Sequence, residues 1–215
     1  MEKKIVISRY NEDVSWVKHL DFKYTIYNKG KDDIPEPNIK LPNLGREAQT
    51  YLNFIISNYH TLENSCVYCF LQGLPFDHRV TLEQINSKKP VDFCPLGQFV
   101  FNETTAGPVN FHFPSGLPIL EMCDILFKTN PFPHGEIKFN LGAQFCVSGK
   151  VIRSRCIQFY RFVHDMILKR NPIEGHVLER IWHVIFNPSI EDRFTYYYKK
   201  RLKCLQGANW QGEME

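Results

Sequence analysis

Short apolar runs and one long amphipathic segment alternate over the first eighty residues. KIVISRY (4–10), YTIYNKG (24–30) and SCVYCFLQG (65–73) have the length and composition of strands. Before the third run, the apolar residues fall at helical spacing: Ala48, Tyr51, Leu52, Ile55, Ile56 and Tyr59. Asn43 is the predicted N-cap of this helix, and a Pro-rich loop (Pro35, Pro37, Pro42) precedes it. The order strand, strand, helix, strand predicts an α/β sheet, and the third run, apolar on both faces, predicts a parallel strand covered by helices.

The rest of the chain has two different patterns. Residues 80–140 are rich in Pro, Gly, Phe and Asn, which predicts loops, short strands and one helix near 118–127. The last third has two helical stripes, Cys156, Phe159, Tyr160, Val163, Met166, Ile167 and then Val177, Leu178, Ile181, Trp182, Ile185, with Pro188 ending the second. We therefore predict one α/β domain over 1–190, and over 191–215 a basic, aromatic helix and tail that completes the domain or begins a linker.

Composition narrows the class of protein. A chain of 215 residues, 43% apolar and 23% charged, suits a single folded domain. The net charge of +3 is too small to indicate a nucleic-acid partner. No segment approaches the roughly 20 apolar residues of a membrane span, and we expect neither a span nor a secretory signal. The seven cysteines, mostly in apolar surroundings, favour free thiols in a reducing compartment, so we expect a cytoplasmic protein. Cys66 and Cys69 should point to opposite faces of a strand, which argues against a zinc site.

Polar clusters follow the predicted strands and open the predicted helix. They are Arg9-Tyr10-Asn11-Glu12-Asp13, Asn43 with Gly45-Arg46-Glu47, and Asp77-His78-Arg79. In open α/β sheets, ligands bind at the carboxyl ends of the strands, and a helix N-terminus favours an anion. A cationic, helix-capped pocket beside an acid suits a nucleoside diphosphate with a divalent metal.

Six segments, in order, resemble a family of glycosyltransferase-like proteins from fungi, bacteria and large DNA viruses. They are ISRYNEDVSWV, IYNKG, NLGREAQTYLNFIISNY, FLQGLPFDH, AQFCVSG and LERIWHVIFNP, and together they run from about residue 4 to 188. The resemblance includes viral glycosyltransferase domains of this size. It implies a single GT-A domain, a Rossmann-like mixed sheet flanked by helices. It also implies transfer of a hexosyl or deoxyhexosyl group from a nucleoside-diphosphate sugar, usually a UDP-sugar, to a glycan acceptor, with Mn²⁺ or Mg²⁺. The chain would then be one part of a longer multidomain enzyme in some members.

The resemblance also implies roles for individual residues. Nucleotide-sugar binding falls to Arg9, Tyr10, Asn11, Arg46, Gln72 and Gly73. Asp77 and His78 stand where such enzymes place an Asp-x-Asp metal motif, although only one acid is present here. Asp77 is therefore either the metal ligand or the base that activates the acceptor hydroxyl, and Glu179 is the other candidate base. His112 and Trp182 are candidate acceptor contacts.

These assignments have alternatives in which the residue has only a structural role. Asp77 and His78 also suit a turn, and Glu47 suits the first turn of any helix. A Trp in a helical stripe, such as Trp182, usually packs in the core. The alternative function is a nucleotide-sugar or glycan-binding module that keeps the fold without turnover, which the single acid at the metal position favours.

Overall fold

The computed structural model describes residues 2–34, 36–104 and 117–207, and it describes side chains there except at 101–104 and 203–207. The strands are β1 Lys3–Arg9, β2 Lys23–Asn28, β3 Asn38–Lys40, β4 Val67–Gln72, β5 Phe93–Pro95, β6 Phe99–Thr104, β7 Glu136–Asn140 and β8 Phe145–Ser148. The helices are α1 Arg46–Asn58, α2 Leu82–Asn86, α3 Ile119–Leu126, α4 Gly149–Ile152, α5 Ile157–Met166, α6 Ile173–Ile185 and α7 Arg193–Gly207. Short 3-10 turns lie at Ser15–His19 and Pro75–His78.

Six strands form one mixed sheet in the order β3-β2-β1-β4-β8-β5. The first four are parallel, and β8 runs antiparallel to both β4 and β5. The mixed α/β architecture in a single domain is therefore confirmed. The parallel direction of β4 is confirmed as well, and it follows from the burial of both its faces.

Alternating residues of the central strands supply two hydrophobic cores, one on each side of the sheet. Val6 and Phe70 belong to the larger core, which α1, α5 and α6 cover. Ile7 and Cys69 belong to the smaller core, which the 3-10 turn around Trp16 and α2 cover. Cys66 lies in the larger core, so it and Cys69 are on opposite faces, as the sequence predicts.

The predicted helices form, with one correction at the start of α1. Asn43 is not its N-cap. The N-cap is Gly45, which has φ +62°, and no side chain caps the helix. Gly45 packs so closely that a Cβ there would lie 2.5 Å from Gln49 Cβ and 2.9 Å from Ile167 O. The chain therefore needs a glycine at this turn, and Asn43 remains exposed two residues earlier.

The remaining elements extend the sheet and cover it. β3 is a short strand inside the Pro-rich stretch that the sequence predicts to be a loop. β6 and β7 form a separate antiparallel pair in the irregular middle of the chain. The predicted helix near 118–127 is α3, and the basic C-terminal segment is α7. Over the described ranges, no helix is both long and apolar enough to cross a membrane.

Candidate functional site

A cavity of about 380 Å³ opens where the strand order reverses, between β1 and β4. From β1 the chain passes to β2 and β3 on one side, and then returns through α1 to β4 on the other side. The cavity is lined by Ser8, Arg9, Tyr10, Glu12, Lys29, Asn43, Arg46, Glu47, Gln72, Arg170 and Asn171. We call it the switch-point cavity, since open α/β sheets bind their ligands at this position.

The structure brings four residues of the predicted nucleotide-sugar site together in this cavity: Arg9, Tyr10, Arg46 and Gln72. The other two lie beside it. A Cβ at Gly73 would meet Glu12 Oε2 at 2.7 Å, so the absence of a side chain at Gly73 leaves room for this lining residue. Asn11 Oδ1 lies against Gly30 in the same loop cluster. Their roles in binding a nucleotide sugar stay predictions.

Arg9 holds the loops at one end of the cavity. Its guanidinium donates to both carboxylate oxygens of Asp32, at 2.7 and 3.0 Å, and to Asn28 Oδ1 at 3.0 Å. It also donates to the carbonyl of Glu12 at 2.8 Å. The hydrogen bonds from Arg9 lower the pKa of Asp32. Because these partners use several of its donors, the buried Arg9 fixes the shape of the cavity rim.

Lys29 fixes the loop that precedes α1. Its buried ammonium donates to the carbonyl of Leu44 at 2.7 Å and to the carbonyl of Arg46. Burial lowers the pKa of Lys29 to about 8, although the nearby Glu47 carboxyl favours the charge. These bonds hold the first turn of α1 at the cavity. The N-cap residue provides no side-chain cap, and the N–H groups of this first turn add a partial positive charge there.

Two arginines add positive charge from two different walls. Arg46 begins α1, and Arg170 lies in the loop between α5 and α6. The N–H of Gly45 donates to Lys169 O at 2.9 Å, which joins these two walls. With Lys29 and Arg9, the cavity has four basic side chains and an uncapped helix start, a set of donors that suits a phosphate group.

Glu179 and Trp182 line a second cavity, of about 270 Å³. We call it the aromatic cavity, because Phe93, Phe99, Phe139 and Phe145 also line it. Glu179 accepts a 2.6 Å hydrogen bond from the N–H of Gly142, and its side chain is only 10% exposed. Trp182 is buried and stacks on Phe186, with ring centroids 5.7 Å apart. Trp182 therefore packs in the core and also forms part of the cavity wall.

Asp77 and His78 lie on the 3-10 turn that follows β4. Asp77 is exposed, and neither residue is among those lining the two cavities. The His78 ring packs on Gly142, where a Cβ would lie 2.4 Å from His78 Cδ2. His78 thus reaches the loop that binds Glu179, whereas Asp77 stays at the surface.

Among the described residues, no group of three or more His, Cys, Asp or Glu side chains is placed to hold a metal ion. Mn²⁺ and Mg²⁺ take several oxygen ligands, and Asp77 is the one carboxylate on its turn. This donor set does not fit a metal site formed by the protein alone. The other predicted acceptor contact, His112, lies outside the described residues.

Lys29, Glu47 and Arg170 are among the lining residues that the sequence did not assign to nucleotide-sugar binding. Lys29 directly follows β2, so the rule that ligands bind at strand ends would have found it. Glu47 resembles an ordinary first-turn acid, and only its burial distinguishes it. No pattern in the sequence identifies Arg170 as a cavity residue, because its loop reaches the sheet through the packing of α5 on α1.

Comparison with known proteins returns one family. Neither a curated protein nor a solved structure matches the chain. The family match covers both halves of the described fold, residues 5–92 and 112–205, and includes all the lining residues of the switch-point cavity. The chain therefore belongs to DUF3431, a family of proteins of unknown function.

Proposed function

We propose that this protein is a glycosyltransferase that moves a hexosyl or deoxyhexosyl group from a nucleoside-diphosphate sugar, most simply a UDP-sugar, to a glycan hydroxyl. The observation that carries the proposal is the basic cavity at the switch point of the sheet. The resemblance of the sequence to GT-A glycosyltransferases supplies the sugar chemistry. In this proposal, the four parallel strands and their loops act as the nucleotide-binding half of a GT-A domain.

The basic residues suit the leaving group of this reaction. When the bond between the anomeric carbon and the phosphate breaks, negative charge develops on the diphosphate. Arg46, Arg170 and Lys29, with the N–H groups at the start of α1, would stabilise that charge. Mn²⁺ or Mg²⁺ at Asp77 and His78 stays a prediction of the resemblance. No step here depends on the metal, because the donors around Asp77 do not fit a site of their own.

The acceptor would bind in the aromatic cavity. The faces of sugar rings stack on aromatic side chains, which Trp182 and its neighbours provide. An acceptor hydroxyl becomes a good nucleophile when a carboxylate takes its proton. We assign that base to Glu179, which lines the aromatic cavity, in preference to the exposed Asp77.

Nucleotide binding tests the first half of the proposal. UDP and UDP-sugars should raise the melting temperature, because a ligand of the folded state stabilises it. The measurement is repeated with Mn²⁺ and with a chelator, for the wild type and for Asp77→Ala. If Asp77 binds the metal, the metal-dependent part of the shift disappears in that variant. If no nucleotide raises the melting temperature under any of these conditions, the proposal is wrong.

Turnover separates the enzyme from the alternative, a binding module without catalysis. A transferase should slowly hydrolyse its donor even without an acceptor, and release of nucleoside diphosphate can be followed directly. The single acid at Asp77 is the observation that favours the binding module. Binding without any donor hydrolysis, with or without glycan acceptors, would establish that alternative.

A further inference from the structure

Three cysteines lie side by side across neighbouring strands of the sheet. Cys69 on β4 is the register partner of Cys146 on β8, and Cys146 is also the partner of Cys94 on β5. All three side chains lie on the face of the smaller core, with Cys94 on the edge strand. We call these three residues the cysteine row. Their thiols are free, as are those of the other cysteines whose side chains the structure describes.

The inner pair of the row, Cys69 and Cys146, has the backbone geometry that a disulfide requires. The N–H of Gly149 donates to Cys66 O at 2.9 Å, three residues away along the same two strands. Because hydrogen-bonded and non-hydrogen-bonded pairs alternate in an antiparallel ladder, Cys69 and Cys146 form a non-hydrogen-bonded pair. Opposed Cα atoms in such a pair are about 4.5 Å apart, and disulfides bridge Cα separations of about 4.4–6.8 Å.

The outer pair, Cys94 and Cys146, is of the other kind. The N–H of Leu96 donates to Gln144 O at 2.8 Å, two residues along the same strands. Cys94 and Cys146 are therefore a hydrogen-bonded pair, whose Cα atoms are about 5.5 Å apart. This separation also lies within the range of disulfides. Cys146 can thus bond to either of its neighbours without movement of the backbone.

The straight row suits thiol–disulfide exchange better than metal binding. Adjacent strands are about 4.7–4.9 Å apart, so Cys69 and Cys94 are separated by about 9–10 Å, with Cys146 between them. Thiolates of a metal site converge on one ion, and no group of three or more ligands in the described part of the chain is placed to do so. In exchange, a thiolate attacks one sulfur of a disulfide and expels the other. A central cysteine with a thiol on each side provides this arrangement.

The surroundings of the three thiols make Cys146 the most acidic. A hydrogen bond from the Cys69 thiol lowers the pKa of Cys146, against the effect of burial, and the charge of Lys3 acts in the same direction. The same hydrogen bond raises the pKa of Cys69, and burial raises the pKa of Cys94. The thiolate is the nucleophilic form of cysteine, so Cys146 is placed to attack an oxidised neighbour.

Access from solvent is through Cys94. Cys69 is fully buried and Cys146 is 4% exposed, whereas Cys94 is partly exposed. We propose that the cysteine row is an oxidation site, at which hydrogen peroxide oxidises Cys94 and the row then forms a disulfide between Cys146 and Cys69. This inference goes beyond the proposed function and does not depend on it.

The chemistry balances in three steps. The Cys94 thiolate attacks one oxygen of the peroxide, the O–O bond breaks, and hydroxide leaves Cys94 as a sulfenic acid. The Cys146 thiolate then attacks the Cys94 sulfur and displaces a second hydroxide, which forms a disulfide between them. Cys69 gives its proton to hydroxide, attacks the Cys146 sulfur and expels the Cys94 thiolate. In total, the Cys69 and Cys146 thiols lose two electrons and two protons, and one peroxide becomes two waters.

The row lies directly behind the aromatic cavity. Side chains alternate between the faces of a strand, and Phe93, Pro95 and Phe145, the sequence neighbours of the cysteines, line that cavity on the other face. A disulfide between β4 and β8 would therefore fix two strands beneath the cavity wall.

Peptide mapping of the wild type tests the product and needs no substitution. The folded, reduced protein is treated with hydrogen peroxide, its remaining thiols are alkylated, and the digest is analysed without reduction. The final crosslink should join Cys69 to Cys146, and Cys66→Ser should retain it, because Cys66 lies in the other core. The absence of a crosslink, or a final crosslink between Cys94 and Cys146, would overturn the proposal.

Substitutions separate the entry thiol from the final pair. Cys94→Ser should form the same crosslink at least about tenfold more slowly, because buried thiols react slowly. Cys69→Ser should stop at the disulfide between Cys94 and Cys146. Cys146→Ser should form neither bond and should leave a Cys94 sulfenic acid that dimedone labels. Equal rates in the wild type and Cys94→Ser would refute the role of Cys94.

The unfolded chain is the control for pairing. The same peroxide treatment in concentrated urea should give a mixture of crosslinks, whereas the folded protein should give one. A similar mixture from the folded protein would show that the row does not direct the oxidation. Since none of these measurements uses a nucleotide or a sugar, their failure is distinct from failure of the proposed function.

Discussion

Arg9 and Asp32 form a two-point ion pair, with nitrogen–oxygen distances of 2.7 and 3.0 Å, that joins the end of β1 to the loop after β2. The arginine is buried and the aspartate is about half exposed. The pair sets the distance between two strand ends, and the switch-point cavity depends on that distance. Its loss should therefore affect both stability and ligand binding.

Replacing Asp32 by Asn should destabilise the protein at neutral pH. Arg9 lowers the pKa of Asp32, so this stabilisation is present above the ordinary pKa of about 3.9 and is lost as the pH falls through the lower folded value. The melting temperatures of the wild type and Asp32→Asn should converge in acid. Asp33→Asn is the control, since Asp33 is fully exposed, and it should change little at any pH. Parallel curves for Asp32→Asn and the wild type would contradict the role of the ion pair.

Arg46→Gln and Arg170→Gln should each weaken UDP-sugar binding by about 10- to 100-fold. This range corresponds to about 1.5–3 kcal/mol for a hydrogen bond to a charged group. Calorimetric titration at two salt concentrations checks it, and the loss should be greater at low salt. Arg161→Gln, an exposed arginine on α5, should bind as the wild type does. Equal effects of all three substitutions would mean that net charge, rather than the cavity, controls affinity.

Gly45→Ala should destabilise the fold by at least about 1–3 kcal/mol. The residue has φ +62°, and a Cβ would come within 2.5 Å of Gln49 Cβ. Gly175→Ala is the informative comparison. Its Cβ would come closest to the flexible Arg46 side chain, at 3.1 Å, and alanine favours a helix. Denaturant unfolding should therefore show a loss of stability for Gly45→Ala alone, while Gly175→Ala alters donor binding through Arg46.

Asp192→Ala should cost about 3–5 kcal/mol, because it leaves the buried Arg155 without its carboxylate. The pair is 2.8 Å long, and Asp192 also accepts the N–H of Thr195 in the first turn of α7. Glu191→Ala removes the neighbouring but exposed pair with Lys128 and should cost less than about 1 kcal/mol. Urea unfolding of the two variants measures the difference. Similar losses would contradict the burial argument.

Hydrophobic periodicity was sufficient to predict the main elements of the fold. The spacing of Ala48, Tyr51 and Ile55 predicted α1, and the doubly apolar run around Phe70 predicted a buried parallel strand. The strand β8 was not predicted, because its four residues are buried on both faces and show no alternating pattern. The start of α1 depended on the left-handed turn at Gly45, which is set by the approach of Ile167 from a distant helix.

The residues of the candidate site that lie at strand ends could be predicted from the sequence. Arg9 and Gln72 end strands, so their convergence followed from the topology of a parallel sheet. Arg170 reaches the cavity through the packing of helices far apart in sequence, which no local pattern encodes. The exposure of Asp77 also depends on the tertiary path of the turn after β4.

The switch-point cavity combines Arg46, from the N-terminal half of the chain, with Arg170, from the C-terminal half. An anion bound by both arginines would add a reversible, non-covalent link between the N-terminal and C-terminal parts of the chain. A protein nicked once at mid-sequence should then remain assembled in the presence of such an anion and dissociate sooner after its removal by dialysis.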